Sequence, residues 1–132
     1  MKLEDDQMCF VCGKKNPIGL HLEFNIDRKK KEIKTIFTPS KNYQGYKNII
    51  HGGIIATVLD EVMVNLAYRL GKPCVSTEVI LRLKRFARVD EEIIFTGRLS
   101  EEYRRLISAE AKAELNDGTL IAEASGKLLR VG

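Results

Sequence analysis

The chain has 132 residues, of which 44% are hydrophobic and 30% charged, a composition typical of a single globular domain. Its formal net charge of +4 comes from 22 basic against 18 acidic residues, so it is not the polycation that nucleic-acid binding favours. The longest apolar stretch, residues 49–70, is interrupted by Asp60 and Glu61, which excludes a membrane-spanning segment.

Alternating apolar and polar residues predict two strands, at 20–26 and 32–38, with a charged turn at 27–31 between them. Residues 39–48 are rich in Asn, Gly and Tyr and are predicted to form a loop. From Gly52 to Leu70 the apolar residues recur with a helical period, and Gly71 and Pro73 end the predicted helix. Four more strands are predicted at 74–86, 91–99, 106–115 and 119–130, with a hairpin signal at 116–118.

This order of two strands, one long helix and four strands predicts an α+β fold, in which a curved antiparallel sheet wraps around the helix. We expect one domain over residues 1–132, with residues 1–18 as an N-terminal lead-in. One helix cannot cover both faces of such a sheet. The outer face or an edge strand is therefore expected to bind a partner, and dimerisation is predicted.

The segment from His51 to Asp60 carries the candidate chemistry. Gly52 and Gly53 let a ligand approach the backbone at the helix start, where the first N–H groups lack helical partners and can bind a carbonyl oxygen. Asp60 lies two turns after Gly53 on the same helical face, about 10 Å along the axis, with small Ala56 between them. A carboxylate among apolar neighbours is poorly solvated and is a stronger base. This pair suits acyl transfer to water.

Each of these features also has a simpler interpretation. The two glycines can be a tight loop, an aspartate inside a helix is usually solvated, and His51 can simply pack at the helix start. On physical grounds alone the two interpretations are evenly balanced.

Several motifs together resemble one family. His51-Gly52-Gly53 with Asp60 nine residues after the histidine resembles the hotdog-fold thioesterase superfamily, in the branch of the phenylacetic-acid-degradation and human thioesterase-superfamily proteins. The segments 9–13, 16–20 and 44–45 strengthen the resemblance, which covers nearly the whole chain. It implies an acyl-CoA thioesterase with the hotdog fold and no cofactor.

The resemblance also implies roles for individual residues. The amide of Gly52 or Gly53 would polarise the thioester carbonyl, and Asp60 would act as general base or nucleophile. His51 would orient the loop or the carbonyl, and Thr77 would lie near the carboxylate from the facing subunit. The family pairs subunits so that active sites lie at the interface, which implies a homodimer or a dimer of dimers.

A coenzyme A substrate carries phosphates, so basic residues near the site are expected to bind it. Four basic residues lie close together in sequence at 82–88, although any one of them can equally be a solubilising surface group. The turn at 84–87 lacks the proline that is common in the family. The residues predicted to bind substrate are Gln44, Asn48, Arg82, Lys84, Arg85 and Arg88.

Cys9 and Cys12 form a C-x-x-C pair. Zinc would need two more ligands, and only His21, His51 and Cys74 remain of the His or Cys type. A thioredoxin-type motif would open a helix after a strand, whereas this pair precedes a predicted strand. We expect reduced, packed cysteines and no metal, with zinc as a less favoured alternative.

Three functions remain. Thioester hydrolysis is favoured, a non-catalytic acyl-CoA-binding module is the alternative, and a hotdog hydratase or dehydratase is less favoured because the two histidines do not supply its dyad. The polar residues 1–7 do not resemble a signal peptide, so a cytoplasmic location without nucleic-acid or membrane partners is expected. The acyl group, the choice between dimer and tetramer, and the role of Asp60 as nucleophile or base stay open.

Overall fold

The computed structural model describes residues 2–132, with six strands in one sheet and one long helix on one of its faces. The elements are β1 (Asn25–Asp27), β2 (Glu32–Phe37), α1 (Gly52–Arg69), β3 (Cys74–Leu83), β4 (Ile93–Tyr103), β5 (Leu106–Leu115) and β6 (Leu120–Arg130). All pairings are antiparallel, in the order β1-β2-β4-β5-β6-β3. This is the hotdog fold that the sequence predicts.

Helix α1 packs closely on the sheet because small residues lie beneath it. A Cβ at Gly97 would lie 3.1 Å from a side-chain carbon of Val62, and one at Gly126 would lie 3.0 Å from the sulfur of Met63. Five buried alanines extend this small-residue surface over β5 and β6, namely Ala109, Ala111, Ala113, Ala122 and Ala124. Burial of the apolar helix face against this surface supplies much of the core.

Strand β3 lies at the edge of the sheet and is paired only with β6. Its middle is exposed on both faces, and its exposed large apolar residues are Val75, Val79, Ile80 and Leu83. A long apolar strand edge of this kind is a template for pairing with another chain. Two surfaces were expected to bind a partner, the outer face of the sheet and an edge strand. Of these, the edge strand β3 is the one that is exposed and apolar.

The outer face of the sheet is polar. Arg98 and Glu110 face each other across β4 and β5 with an N–O distance of 2.9 Å, and Arg82 lies opposite Glu123 in the β3–β6 ladder. Water can solvate such a face, so no second layer is needed to cover it. Within residues 2–132 there is no helix with the length and hydropathy that a bilayer crossing requires.

The first predicted strand was too long. Only Asn25–Asp27 pairs with β2, because the backbone before it pairs with the N-terminal lead-in instead. The amide of Leu20 donates to the carbonyl of Phe10 at 2.8 Å, and the amide of Leu22 donates to that of Val11 at 2.9 Å. The lead-in is thus fastened to the body of the domain, with Val11 buried.

The strand predicted at 74–86 ends at Leu83. The amides of Lys84 and Arg85 both donate to the carbonyl of Ile121, at 2.8 and 3.1 Å, which breaks the regular ladder. A bulge at Thr77 also interrupts β3, since Ser76 and Glu78 face consecutive residues of β6. The strand predicted at 91–99 ends later, because β4 continues to Tyr103.

Candidate active site

The start of α1 is capped by the residue that precedes it. The ring Nδ1 of His51 accepts a hydrogen bond of 2.9 Å from the amide of Gly53. A neutral imidazole that accepts at Nδ1 carries its proton on Nε2. The Gly53 amide is thereby satisfied, whereas the Gly52 amide has no acceptor within residues 2–132. Gly52 is therefore the free donor of the pair.

A cleft of about 800 Å³ opens in front of this helix start. Its walls come from the loop before α1 and from the segment after β3, and they are mostly apolar. The apolar lining residues are Ile49, Ile50, Ile55, Leu83, Phe86 and Ala87. A Cβ at Gly52 would lie 3.1 Å from Cδ1 of Leu83, so the glycine is what leaves the backbone accessible from the cleft.

Gln44 and Asn48 shape the loop that forms one wall of this cleft. The side-chain oxygen of Gln44 accepts from the Asn48 amide at 3.1 Å, and Asn48 has a positive φ of 65°. The carbonyl of Asn48 accepts from the amide of Val89 at 3.3 Å. Neither Gln44 nor Asn48 lines the cleft, so their predicted contact with substrate stays a prediction.

Asp60 lies half-buried on α1 with an unsatisfied oxygen. Its Oδ1 is buried and has no hydrogen-bond partner within residues 2–132. Burial, and then the charge of Asp60, raise the pKa of the Cys74 thiol to about 11, which places the carboxylate near the first residue of β3. A buried carboxylate oxygen without a hydrogen-bond partner lowers the stability of the fold. Its presence in Asp60 is therefore better explained by a functional role than by a structural one.

The free amide and the carboxylate do not meet within one chain. Gly52 and Asp60 are eight residues apart, which is about 12 Å along the helix axis. Direct attack requires the reacting atoms to lie about 3–3.5 Å apart. The predicted groove along a single helix therefore places both groups on α1 but does not bring them together.

Thr77 occupies the bulge of β3 and is exposed. Its hydroxyl donates to the carbonyl of Lys127 on β6 at 3.0 Å, and no hydrogen bond joins it to Asp60 in the same chain. Bulges commonly re-aim a side chain next to a functional site. The predicted approach of Thr77 to a carboxylate of the facing subunit stays a prediction.

The basic residues at 82–88 are divided between the outer face of the sheet and the cleft. Lys84 lines the cleft and lies 3.6 Å from Glu123, whereas Arg82 is on the outer face of the sheet, away from the cleft. Arg82 and Lys84 nevertheless both lie beside Glu123, and their predicted binding of phosphate stays a prediction.

Arg85 lines the cleft and pairs with Glu91 at 3.1 Å. The guanidinium lowers the pKa of the Glu91 carboxyl, which also accepts a hydrogen bond from the Arg88 amide at 2.9 Å. Arg88 itself is exposed and forms no ion pair in the described part of the chain. Among the described residues, Arg88 is thus a cation without an ion pair, and it directly follows Ala87 of the cleft wall.

A second cluster joins α1 to the N-terminal lead-in. Glu61 contacts Cys9, with 3.5 Å between the carboxylate Oε2 and Sγ, and Asn65 donates to the same oxygen at 3.3 Å. The Asn65 amide also lies 3.8 Å from Sγ of Cys12, whose pKa is raised mainly by burial and then by Glu61. Sequence reasoning missed Glu61, although its position one turn before Asn65 placed both on one stripe.

The three residues that the sequence offered as further zinc ligands do not lie beside Cys9 and Cys12. His21 bonds the carbonyl of Asn16, His51 caps α1, and Cys74 is buried near Asp60. The groups that could hold a metal ion are instead the two cysteines and a carboxylate.

Comparisons with known proteins agree with this fold. A family model described as the thioesterase superfamily matches residues 47–122. A crystal structure of a thioesterase superfamily protein superposes with a TM-score of 0.87 and 22% identity, covering 93% of this chain. This chain spans 60% of the length of that relative. No curated protein matches the chain.

Two further structures are similar in fold. A hypothetical thioesterase from Streptococcus pneumoniae, solved with coenzyme A, has a TM-score of 0.78 and 14% identity, covering 84% of this chain and 86% of its own. The PaaI protein from the phenylacetic acid degradation operon of E. coli has a TM-score of 0.79 and 14% identity, covering 86% of this chain and 81% of its own.

Proposed function

Since the chain belongs to the thioesterase superfamily, we propose that it hydrolyses an acyl-CoA thioester to a free acid and coenzyme A. The coenzyme A in the similar structure from S. pneumoniae supports this substrate class. The observation that carries the proposal is the unpartnered, buried Oδ1 of Asp60 on the same helix that offers the free Gly52 amide to an apolar cleft.

In the proposed reaction, the Gly52 amide donates to the thioester carbonyl oxygen. The positive end of the α1 dipole adds to this polarisation and stabilises the negative charge that develops on the oxygen. His51 acts as a positioning residue. By accepting from the Gly53 amide, it satisfies the competing donor and fixes the backbone at Gly52.

Asp60 is proposed to accept a proton from water, whose oxygen bonds to the carbonyl carbon as the carbon–sulfur bond breaks. The coenzyme A thiolate leaves and takes up a proton. Direct attack by the carboxylate, followed by hydrolysis of the anhydride, leads to the same products. In either route the carboxylate must come within reach of the carbonyl that Gly52 binds.

We propose that two subunits share each site, with Gly52 from one chain and Asp60 from the other. The separation of about 12 Å within one helix favours this arrangement over a site in a single chain. The exposed apolar edge of β3 suits pairing with the β3 edge of a second copy. Because Thr77 lies on this strand, such pairing would carry Thr77 of the partner subunit toward the interface.

The cleft in front of Gly52 is proposed to bind the substrate. Its apolar walls suit the acyl chain or the pantetheine arm, both of which bury apolar surface. Lys84, Arg85 and Arg88 are the candidate partners for the phosphates. Of these three, Arg88 has no ion pair in the described part of the chain and can therefore bind a phosphate without losing a partner.

The test is hydrolysis of a panel of short, medium, long-chain and aryl acyl-CoAs, followed by release of free thiol. Asp60→Asn keeps the size of the side chain and removes its charge. We expect a loss of turnover of at least about 10²-fold while the protein stays folded. Glu110→Gln, on the outer face of the sheet, is the matched control and should keep wild-type turnover.

Full activity in Asp60→Asn would reject the site assignment. Wild-type protein that binds these esters without hydrolysing any of them would reject the enzymatic function and favour a binding module. If only some of these acyl-CoAs are hydrolysed, they identify the class of acyl group that the enzyme accepts.

A further inference from the structure

The cluster of Cys9, Cys12 and Glu61 has the dimensions of a metal-ion site. One ligand atom from each residue lies within 4.8 Å of the other two. Around a tetrahedral zinc ion with Zn–S bonds of about 2.3 Å, two sulfur ligands are separated by about 3.8 Å. Small side-chain adjustments therefore suffice to close these three groups around one ion.

The backbone between the two cysteines forms a tight turn. The amide of Gly13 donates to the carbonyl of Cys9 at 2.9 Å, and the amide of Lys15 donates to that of Gln7 at 3.0 Å. A Cβ at Gly13 would lie 2.4 Å from the Cys9 nitrogen, so only glycine fits after the second cysteine. This turn presents both thiols to the same side, as a C-x-x-C metal-binding turn requires.

The cluster has no protein cation to balance it. Glu61 is half-buried and forms no ion pair with a Lys, Arg or His within residues 2–132. Charges that are buried in proteins are normally paired or coordinate metal ions. Its neighbours are instead two thiols and the amide of Asn65, none of which carries positive charge.

Asn65 supplies an independent indication of a ligand. Its Oδ1 is buried and has no partner in the described chain, while its Nδ2 reaches both Glu61 and Cys12. A half-turn of the amide exchanges the two atoms and places the oxygen beside the cluster. In that orientation the amide oxygen is a fourth donor beside the three ligands.

We propose that Cys9, Cys12 and Glu61 bind one divalent zinc ion, with the Asn65 oxygen or a water in the fourth position. Each thiol releases its proton to solvent on binding, so the two thiolates and the carboxylate outweigh the charge of the ion. Two sulfur ligands select zinc over magnesium or calcium, which prefer oxygen.

The proposed ion is structural. It joins the N-terminal lead-in to the middle of α1 through Glu61, which follows Asp60 and is turned about 100° from it around the helix axis. Glu61 and Cys9 are 52 residues apart in sequence, so the ion would close a long loop and stabilise the folded chain.

The test uses the full chain, reduced and freed of metal with a chelator, then loaded with one equivalent of zinc and desalted. We expect about one zinc per chain by mass spectrometry and a dissociation constant below about 1 µM. Cobalt in place of zinc should give thiolate-to-metal charge-transfer absorption, which binding to surface carboxylates would not produce.

Cys12→Ser should retain less than a tenth of the zinc, and Glu61→Gln should bind it at least about tenfold more weakly. Cys74→Ala removes the remaining cysteine and should keep full occupancy. Zinc should raise the thermal midpoint of wild type and of Cys74→Ala, but not that of Cys12→Ser.

Reduced wild-type protein that holds no zinc after desalting would overturn the proposal, as would full occupancy in Cys12→Ser or unchanged affinity in Glu61→Gln. If Cys12→Ser does not fold, the cobalt spectrum of wild type and the affinity of Glu61→Gln still decide the question.

Discussion

His51 Nδ1 lies 2.9 Å from the amide nitrogen of Gly53 and caps helix α1. This contact gives two adjacent glycines different roles. One amide is satisfied by the ring, and the other, at Gly52, stays free to face the cleft. The histidine thereby acts on the candidate oxyanion site through the backbone, without itself needing to touch a substrate.

Replacing His51 should destabilise the protein by loss of this cap. We expect His51→Ala to lower the free energy of unfolding by about 1 kcal/mol in a denaturant titration, because the Gly53 amide loses its acceptor. Asn is among the best N-cap residues, so His51→Asn should restore most of the loss. Equal stability of wild type and His51→Ala would show that the cap contributes nothing.

Adding a methyl group at Gly52 should block the free amide. We expect Gly52→Ala to reduce thioesterase turnover at least about tenfold, since oxyanion donors act only at close range. The new Cβ also meets Leu83 at 3.1 Å, but this side chain is exposed and can move, so stability should change little. The double variant with Leu83→Ala removes the contact, and recovery of its turnover would argue against amide blocking.

A charge on the edge strand should prevent subunit pairing. Val79 is exposed in the middle of β3, and lysine there opposes edge-to-edge association. We expect Val79→Lys to sediment as a monomer and to lose activity, because each proposed site needs two chains. Ile36→Lys, at an exposed apolar position on β2, is the control and should remain associated. A monomeric wild type would contradict the shared site.

The two glycines beneath α1 should differ in their tolerance of alanine. At Gly97 a Cβ would meet Ile33 and Val62 side chains at 3.1 Å and the Val62 carbonyl at 3.2 Å, so a helix backbone would have to shift. We expect Gly97→Ala to cost about 1–3 kcal/mol of unfolding free energy. At Gly126 the neighbour is the flexible end of Met63, so Gly126→Ala should cost less. The reverse order in chemical denaturation would contradict this packing argument.

Cys74 should make stability depend on alkaline pH. Its pKa rises from 9.0 to about 11 in the fold, because burial and then Asp60 disfavour the thiolate. A folded pKa above the unfolded value means that this stabilisation is complete below pH 9.0 and is lost as the pH rises toward 11. Cys74→Ala should flatten that pH dependence.

Alkylation gives a second measure of the same thiol. At pH 8 the Cys74 peptide should react with iodoacetamide far more slowly in folded than in denatured protein, because only the thiolate reacts. Asp60→Asn should speed the reaction of the folded protein slightly, since the charge is the smaller cause of the shift. Equal rates in folded and denatured protein would contradict the burial of Cys74.

The order of the elements was predictable because the apolar residues of each element recur with the period of a helix or of a strand. The helix was placed to within one residue of its end, at Arg69. The first strand was not, because residues 20–24 alternate correctly and pack against the core, yet their backbone pairs with the lead-in. Alternation reports which side chains face the core and carries no information on the backbone partner.

The candidate site was predictable only where it is local. The amide of Gly52 and the carboxylate of Asp60 belong to one helix, so their spacing followed from helical geometry. The contact of Glu61 with Cys9 spans 52 residues and has no periodic signal. The directions of Arg85 and Lys84 were not predictable for a related reason, since each pairs with a carboxylate, Glu91 or Glu123, that no pattern in the basic segment indicates.

The bulge at Thr77 determines which residues of the edge strand β3 face the core. Cys74 and Leu81 are seven residues apart, yet both face the core, which strict alternation would forbid without the extra residue. Deletion of Thr77 would leave Cys74 and Leu81 six positions apart, so regular alternation would keep both on the core face and only the bulge would be lost. A deletion between Glu78 and Arg82 would instead turn Arg82 inward. Beyond the bulge, related chains should therefore tolerate substitutions along β3 far better than insertions or deletions.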